Sequence, residues 1–222
     1  MKELDLTQGS VPKVLLHFAV PFLLANVLQA LYGGADLFVV GQYDGAASVA
    51  AVAIGSQVMQ TVTGVILGLT TGITVLIGIA TGAKDDRKTA SIVGTGIWLF
   101  AVVAAVLTAL MVALHGQIAV WMHTPVEAMR DTEAYLWICS MGIPFIMGYN
   151  VVCGILRGLG DSRTPLYFVA LACVLNIVLD FILVGACGMR AVGAAAATVT
   201  AQGASFCLLY TSDAADDMQC VD

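Results

Sequence analysis

Six long apolar runs, at about 12–40, 46–83, 90–114, 132–156, 166–186 and 191–206, leave this chain few folds to choose from. A hydrocarbon layer of about 30 Å is crossed by roughly 20 helical residues rising 1.5 Å each, and every full run meets that length. The second run is long enough to tilt or to reach beyond the lipid. With 59% of the residues hydrophobic and 11% charged, these are not helices of a soluble core. The expected fold class is an all-α membrane protein, built as a six-transmembrane-helix bundle. No small-residue cleavage site follows the first run, so it reads as a retained helix and not as a signal peptide, with residues 1–10 as a polar tail before it.

The connections Gly41–Gly45, Lys84–Lys88, His115–Asp131, Gly158–Thr164 and Gly185–Arg190 are short and carry turn residues. Thr124-Pro125-Val126-Glu127 has the form of a capping box that would open the fourth helix, and Thr164-Pro165 repeats its first half before the fifth. Lys2, Lys13, Lys84, Arg87, Lys88, Arg157 and Arg163 fall on one side of the membrane, against Arg130 and Arg190 on the other. The positive-inside rule then places the N-terminus and the even-to-odd loops in the cytoplasm, as in a multi-pass protein of the plasma membrane. Two small-residue rows, Gly64, Gly68 and Gly72 on helix two and Gly193 with Ala194 to Ala197 on helix six, are expected to let helix backbones approach closely. Pro21 lies inside helix one, where it removes a backbone hydrogen bond and is expected to bend the helix.

Two carboxylates, Asp36 and Asp180, lie within these runs. A charge at the middle of a bilayer costs roughly 2.5 to 3.5 kcal/mol on the most forgiving insertion scale, so such residues are rarely kept without a task. Gln29, Tyr32 and Asp36 are spaced by three and four residues and share a helix face, as do Asn176 and Asp180 on helix five. For Gln29 or Asn176 alone, simple bonding between helices explains the residue equally well. For the aspartates it explains less, because no intramembrane Lys or Arg is available as a fixed partner. The countercharge is therefore expected to be mobile: a proton, a sodium ion at Asp36, Asn176 and Asp180, or a cationic substrate. His17, His115 and His123 do not cluster, the six cysteines have no metal-type spacing, and no phosphate-binding glycine loop is present. Neither a metal enzyme nor an ATP-driven pump is expected. No cofactor is called for, and the energy source is a proton or sodium gradient.

Tyr43-Asp44 and Gly158-Leu-Gly-Asp161 match the short motifs of intramembrane aspartyl proteases, but the topology sets them on opposite membrane sides, where they cannot share a water. The chain reads as a non-enzyme. Pro21 followed by Asn26-Val-Leu-Gln-Ala-Leu-Tyr32-Gly-Gly-Ala-Asp36-Leu-Phe-Val-Val-Gly41 resembles the first helix of the multidrug and toxic compound extrusion (MATE) transporters. Leu156-Arg-Gly-Leu-Gly-Asp161-Ser-Arg-Thr-Pro165 is similar to that family's loop between helices four and five. Asn176-Ile-Val-Leu-Asp180 and Gly193-Ala-Ala-Ala-Ala-Thr198 resemble its helices five and six.

The resemblance covers residues 10–206 and implies the N-terminal half of a twelve-helix, two-lobe multidrug antiporter, with 11–206 as one six-helix lobe. It further implies a cavity for coupling ion and substrate at Asp36, Asn176 and Asp180, with Tyr32, Gln29 and Thr198 nearby and a helix bend at Pro21. Lipid, small cationic or amphipathic substrates and a missing C-terminal lobe are the implied partners, and no nucleic acid. A lipid-linked sugar flippase of the same superfamily is the alternative, disfavoured because arginine is absent from the helix interiors. Residues 207–222 turn polar in the middle of a span, and Cys207 to Asp216 can be encoded by a transposon end joined to a sequencing adapter. They are expected to be an artefact appended to a fragment. Four of the acidic charges sit there, at Asp213, Asp216, Asp217 and Asp222, so the net charge of −6 is −2 without them.

Overall fold

The computed structural model describes residues 11–219, so the polar tail 1–10 and residues 220–222 lie outside the described residues, as do the side chains of 11–15, 17, 18, 210 and 212–219. The apolar runs form six helices in chain order: α1 (Val11–Tyr43), α2 (Ala46–Gly82), α3 (Asp86–Trp121), α4 (Met129–Gly158), α5 (Arg163–Asp180) and α6 (Arg190–Gln219). A single π-helical turn, Phe181–Ala186, extends α5 beyond Asp180. All six helices contain a stretch long and apolar enough to cross a membrane. That repertoire follows from the solvent: lipid offers no hydrogen bonds, so each backbone amide must be satisfied within its own helix.

α4 is the hub, packing extensively on α2, α3 and α6, while α1 lies mainly on α5. α2 and α4 run in the same direction and stay in register along their length. Ser48 pairs with Asp131 near one end, and Gly158 meets Ile77 near the other. Here close approach depends on glycine. A Cβ on Gly158 would lie 2.8 Å from Ile77 and 2.9 Å from the backbone oxygen of Thr74, and one on Gly148 would lie 2.7 Å from the Phe206 ring. Gly55 and Gly154 likewise admit Tyr135 and Thr70, and Thr74 donates to the Gly154 carbonyl at 2.9 Å. The α6 row behaves as its sequence suggests: Ala194, Ala195 and Ala197 are wholly buried, and Gly193 leaves room for Leu183, Val184 and Met189. Outward-facing side chains such as Trp98, Val106 and Leu110 of α3 are apolar, as a lipid-facing surface requires.

Several local expectations are overturned. Gly64, Gly68 and Gly72 pack against nothing within the bundle, since a Cβ at any of them would meet open space. Their row faces away from the helices that α2 contacts, and Gly64 lines a cavity instead. Thr124-Pro125-Val126-Glu127 is not a capping box, because α4 begins only at Met129 and its N-cap residue Ala128 makes no side-chain cap bond. α3 runs on to Trp121, and the Thr124 hydroxyl donates back to the Ala119 carbonyl at 2.7 Å, so the threonine closes the helix before it. The α5 start is likewise two residues earlier than Thr164-Pro165 implies. Asp161 accepts from the backbone N–H groups of Arg163 and Thr164 at 2.9 and 3.1 Å, the role of a capping carboxylate. α1 continues through Pro21, and α4 contains a second internal proline at Pro144.

The glycine contrast gives a direct test. Gly158→Ala is expected to destabilise the bundle by about 1 to 3 kcal/mol, because the Thr74 backbone cannot yield. Gly72→Ala is expected to be neutral or stabilising by up to about 1 kcal/mol, through helix propensity alone. Thermal unfolding of both variants in one detergent measures the difference.

Candidate functional site

The two membrane-embedded aspartates meet. Asp36 comes from α1 and Asp180 from the last residue of α5, and their carboxyl groups lie within hydrogen-bonding range of each other. Thr198 of α6 donates to Oδ2 of Asp36 at 3.1 Å and accepts from Nδ2 of Asn176 at 3.3 Å. Asp36 is 3% exposed, Asn176 1% and Asp180 not at all. Three helices thus converge on one oxygen cluster, and their spacing explains how. Asn176 and Asp180 sit one turn apart on α5, while the alanine row beside Thr198 lets α6 come close enough for a threonine to bridge them.

Most of the cluster's acceptor capacity is unspent. Oδ1 of Asp36, Oδ1 of Asn176 and both oxygens of Asp180 are buried without a hydrogen-bond partner. Leaving such an atom unmade costs about 1 to 3 kcal/mol, and more when it is charged. Two neighbouring buried carboxylates are costly to keep ionised without a partner, so the pair is suited to a shared proton, a bound cation or water. An all-oxygen donor set of carboxylate, amide and hydroxyl suits a hard cation and not a soft transition metal. Among the described residues no group of three or more His, Cys, Asp or Glu could hold a metal ion.

A cavity of about 390 Å³ opens beside this cluster. Asp36 and Thr198 line it together with Gln29 and Tyr32, so four of the six residues singled out in the sequence share one chamber. Asn176 and Asp180 are buried and are not among its lining residues. The sequence reading missed Gln202, which donates to the Tyr32 phenol at 3.2 Å, and Asn150, Tyr135 and Gln60, which also line the wall. Gln202 was within reach of the same rule that grouped Gln29, Tyr32 and Asp36, because it lies four residues beyond Thr198. Ser56, Gln60 and Thr63 show that spacing again on α2. A second cavity of about 260 Å³ shares Asn26, Gln29, Leu67 and Asn150 with the first and is lined also by Arg157, whose guanidinium sits 5.2 Å from the Phe22 ring centre.

At the end of the bundle where α1 turns into α2, Asp44 pairs with Arg190 at 3.5 Å. Its carboxyl is held below the ordinary carboxylate range, foremost by the Ser48 hydroxyl, for which it competes with Asp131, then, against the opposing pull of partial burial, by the Gly45 N–H at 2.8 Å and by Arg190. Asp161 belongs to the α4–α5 turn at the other end, next to Gly158. The two protease-like motifs therefore lie a bundle length apart. A carboxylate with a lowered folded pKa contributes stability that is present above its ordinary value near 3.9 and is lost as pH falls through the folded value. Melting temperatures of the chain are thus expected to fall more steeply below pH about 4 than those of Asp44→Asn, and parallel curves would remove this ion pair from the balance.

Comparison with known proteins then bears on the whole arrangement. The MatE family model matches residues 21–182. The probable multidrug resistance protein YpnP of Bacillus subtilis (strain 168) is 35% identical over 206 residues, covering 93% of this chain and 46% of YpnP. The probable multidrug resistance protein NorM of Thermotoga maritima is 31% identical over 196 residues, covering 85% of this chain and 41% of NorM. Among solved structures, the outward-facing conformation of a multidrug resistance MATE family transporter of the MOP superfamily superposes with a TM-score of 0.87 at 27% identity, over 94% of this chain and 47% of that one. MATE in the straight conformation gives 0.86 at the same identity. This chain spans about half the length of the relatives it matches.

Proposed function

The chain belongs to the MatE family, and from that premise we propose that it is the N-terminal lobe of a two-lobe exporter, which moves organic cations out of the cell in exchange for protons or sodium ions. The observation that carries this reading is the contact between Asp36 and Asp180 with their oxygens unspent and no fixed cation beside them. Among the described residues, no lysine or arginine lines the 390 Å³ cavity at Asp36. That supports cation export over the flippase alternative, whose anionic pyrophosphate would want basic side chains.

In this reading the coupling ion occupies the Asp36, Asn176, Asp180 and Thr198 oxygens, and a substrate cation in the cavity competes for Asp36. Competition is the engine: each cation binds best to the state from which the other has left, so their differential affinity links the two movements. Asp180, buried and absent from the cavity lining, serves the ion, while Asp36 serves both. Alternating access comes from the two lobes rocking about the shared site, as in repeat-built transporters generally. Pro21 supplies a weak point in α1, the helix that carries Asp36, Tyr32 and Gln29. The basic residues of the α2–α3 and α4–α5 turns, with those near the N-terminus, support a reading in which that end of the bundle is cytoplasmic and Asp44 with Arg190 lies outside.

Efflux of a fluorescent cation from vesicles containing the complete two-lobe protein tests the proposal. An imposed proton or sodium gradient is expected to drive export, and Asp36→Asn is expected to abolish it while leaving membrane insertion intact. The 222-residue chain by itself is expected to move nothing. Undiminished gradient-driven export by Asp36→Asn would remove Asp36 from the mechanism.

A further inference from the structure

The second cavity, of about 260 Å³, holds a basic side chain that the export mechanism leaves without a task. Arg157 lies in the last turn of α4, half-buried, and its Nε donates to the Cys153 carbonyl at 3.0 Å. Its guanidinium sits over the Phe22 ring, and the two contacts together hold the planar fork in place. That fork carries five N–H groups, of which the Cys153 carbonyl uses one. Among the described residues the two Nη groups have no acceptor and no Asp or Glu lines the cavity, while the one ion pair lies at the other end of the bundle. A cation drawn partly out of water without a partner is costly, so the cavity favours an anion. Elsewhere the wall is largely apolar. The hydroxyls of Thr71 and Tyr149 are spent on the carbonyls of Leu67 and Pro165, and Phe22, Ala25, Leu67 and Val169 supply hydrocarbon. Phe22 and Asn26 of α1 and Thr71 of α2 are exposed, so the cavity opens between those two helices.

We propose that this cavity binds the phosphate group of an anionic membrane lipid, the phosphate on the Nη edge of Arg157 and the start of an acyl chain along Phe22, Ala25, Leu67 and Val169. The chemistry of both halves fits. A guanidinium meets phosphate oxygens with two parallel N–H bonds, which a lone ammonium cannot do. Basic pockets between transmembrane helices hold anionic headgroups where they open near the cytoplasmic face, and the basic loops mark the α4–α5 turn after Arg157 as that side. A chamber of about 260 Å³ is smaller than most drug pockets, so it takes a headgroup and leaves the rest of the lipid outside. The lipid is a resident and not a cargo. An anion moving deeper would meet Asp36 in the adjoining cavity, and like charge confines it to the Arg157 end. The inference is independent of what the protein exports.

The test uses the 222-residue chain purified in a neutral detergent and three probes: dihexanoyl phosphatidic acid, dihexanoyl phosphatidylcholine and sodium phosphate. In titration calorimetry the phosphatidic acid is expected to bind about fivefold or more tightly than the phosphatidylcholine, whose chains are identical but whose headgroup is neutral overall. Inorganic phosphate, which has no chain to bury, is expected to bind at least about tenfold more weakly than the phosphatidic acid. Arg157→Gln is expected to bring the two lipids to equal affinity, and Arg157→Lys to restore only part of the difference. The comparison of probes on the wild-type chain needs no substitution, so a variant that fails to fold still leaves it decisive. Equal affinity of the wild-type chain for both lipids, or a preference that survives Arg157→Gln, overturns the assignment. Inorganic phosphate bound as tightly as phosphatidic acid overturns the lipid as the occupant.

Discussion

Two acidic groups in contact, inside a bundle built to sit in lipid and without a basic side chain beside them, are the constraint on which the rest of this molecule turns. The cost of placing Asp36 and Asp180 there is met neither by burial nor by a salt bridge, since the one ion pair among the described residues is Asp44 with Arg190 at the end of the bundle. In the proposed mechanism, what compensates is a proton or cation that can leave. A fixed lysine would have made the pair cheap and inert. Thr198 and Asn176 stabilise the arrangement only in part, Thr198 bonding one oxygen of Asp36 and Asn176 bonding Thr198, which leaves both oxygens of Asp180 open.

The bundle holds those groups in place by the means lipid allows. With no hydrophobic gain between helices, position depends on van der Waals contact, and contact depends on small residues at crossings. Gly55, Gly154 and Gly158 seat α2 against α4, while the alanine row of α6 brings Thr198 to α1 and α5. The Gly64, Gly68, Gly72 row of α2 meets no neighbour within the bundle, and Gly64 there lines the cavity beside Asp36. The π-helical turn that follows Asp180 widens the end of α5 immediately next to the ion cluster, a placement common for such turns at functional sites.

Much of this was legible from residue order alone, and the failures have specific causes. Six helices follow from apolar length, and the grouping of Gln29, Tyr32 and Asp36 from the 3.6-residue turn, because both rest on geometry internal to one helix. Which glycines pack was not legible: Gly64, Gly68 and Gly72 have the same spacing as a packing row, and only the position of the neighbouring helices decides that their side is open. Thr124-Pro125-Val126-Glu127 failed because a threonine beside a proline can close the helix behind it as readily as open the one ahead. Asp180 shows the same limit. Its helix face was readable, but not that it would be fully buried and absent from the cavity lining.

The central claim, one mobile cation held between the two acids and displaced by substrate, is tested most directly by counting ions on binding. Titrating an organic cation into the purified chain in weakly buffered solution, with a proton-sensitive dye and a sodium electrode, reads both candidates at once. The account predicts release of about one proton or one sodium ion per cation bound, and none from Asp36→Asn. Full-strength binding without release of either ion, or with release unchanged in Asp36→Asn, would contradict it.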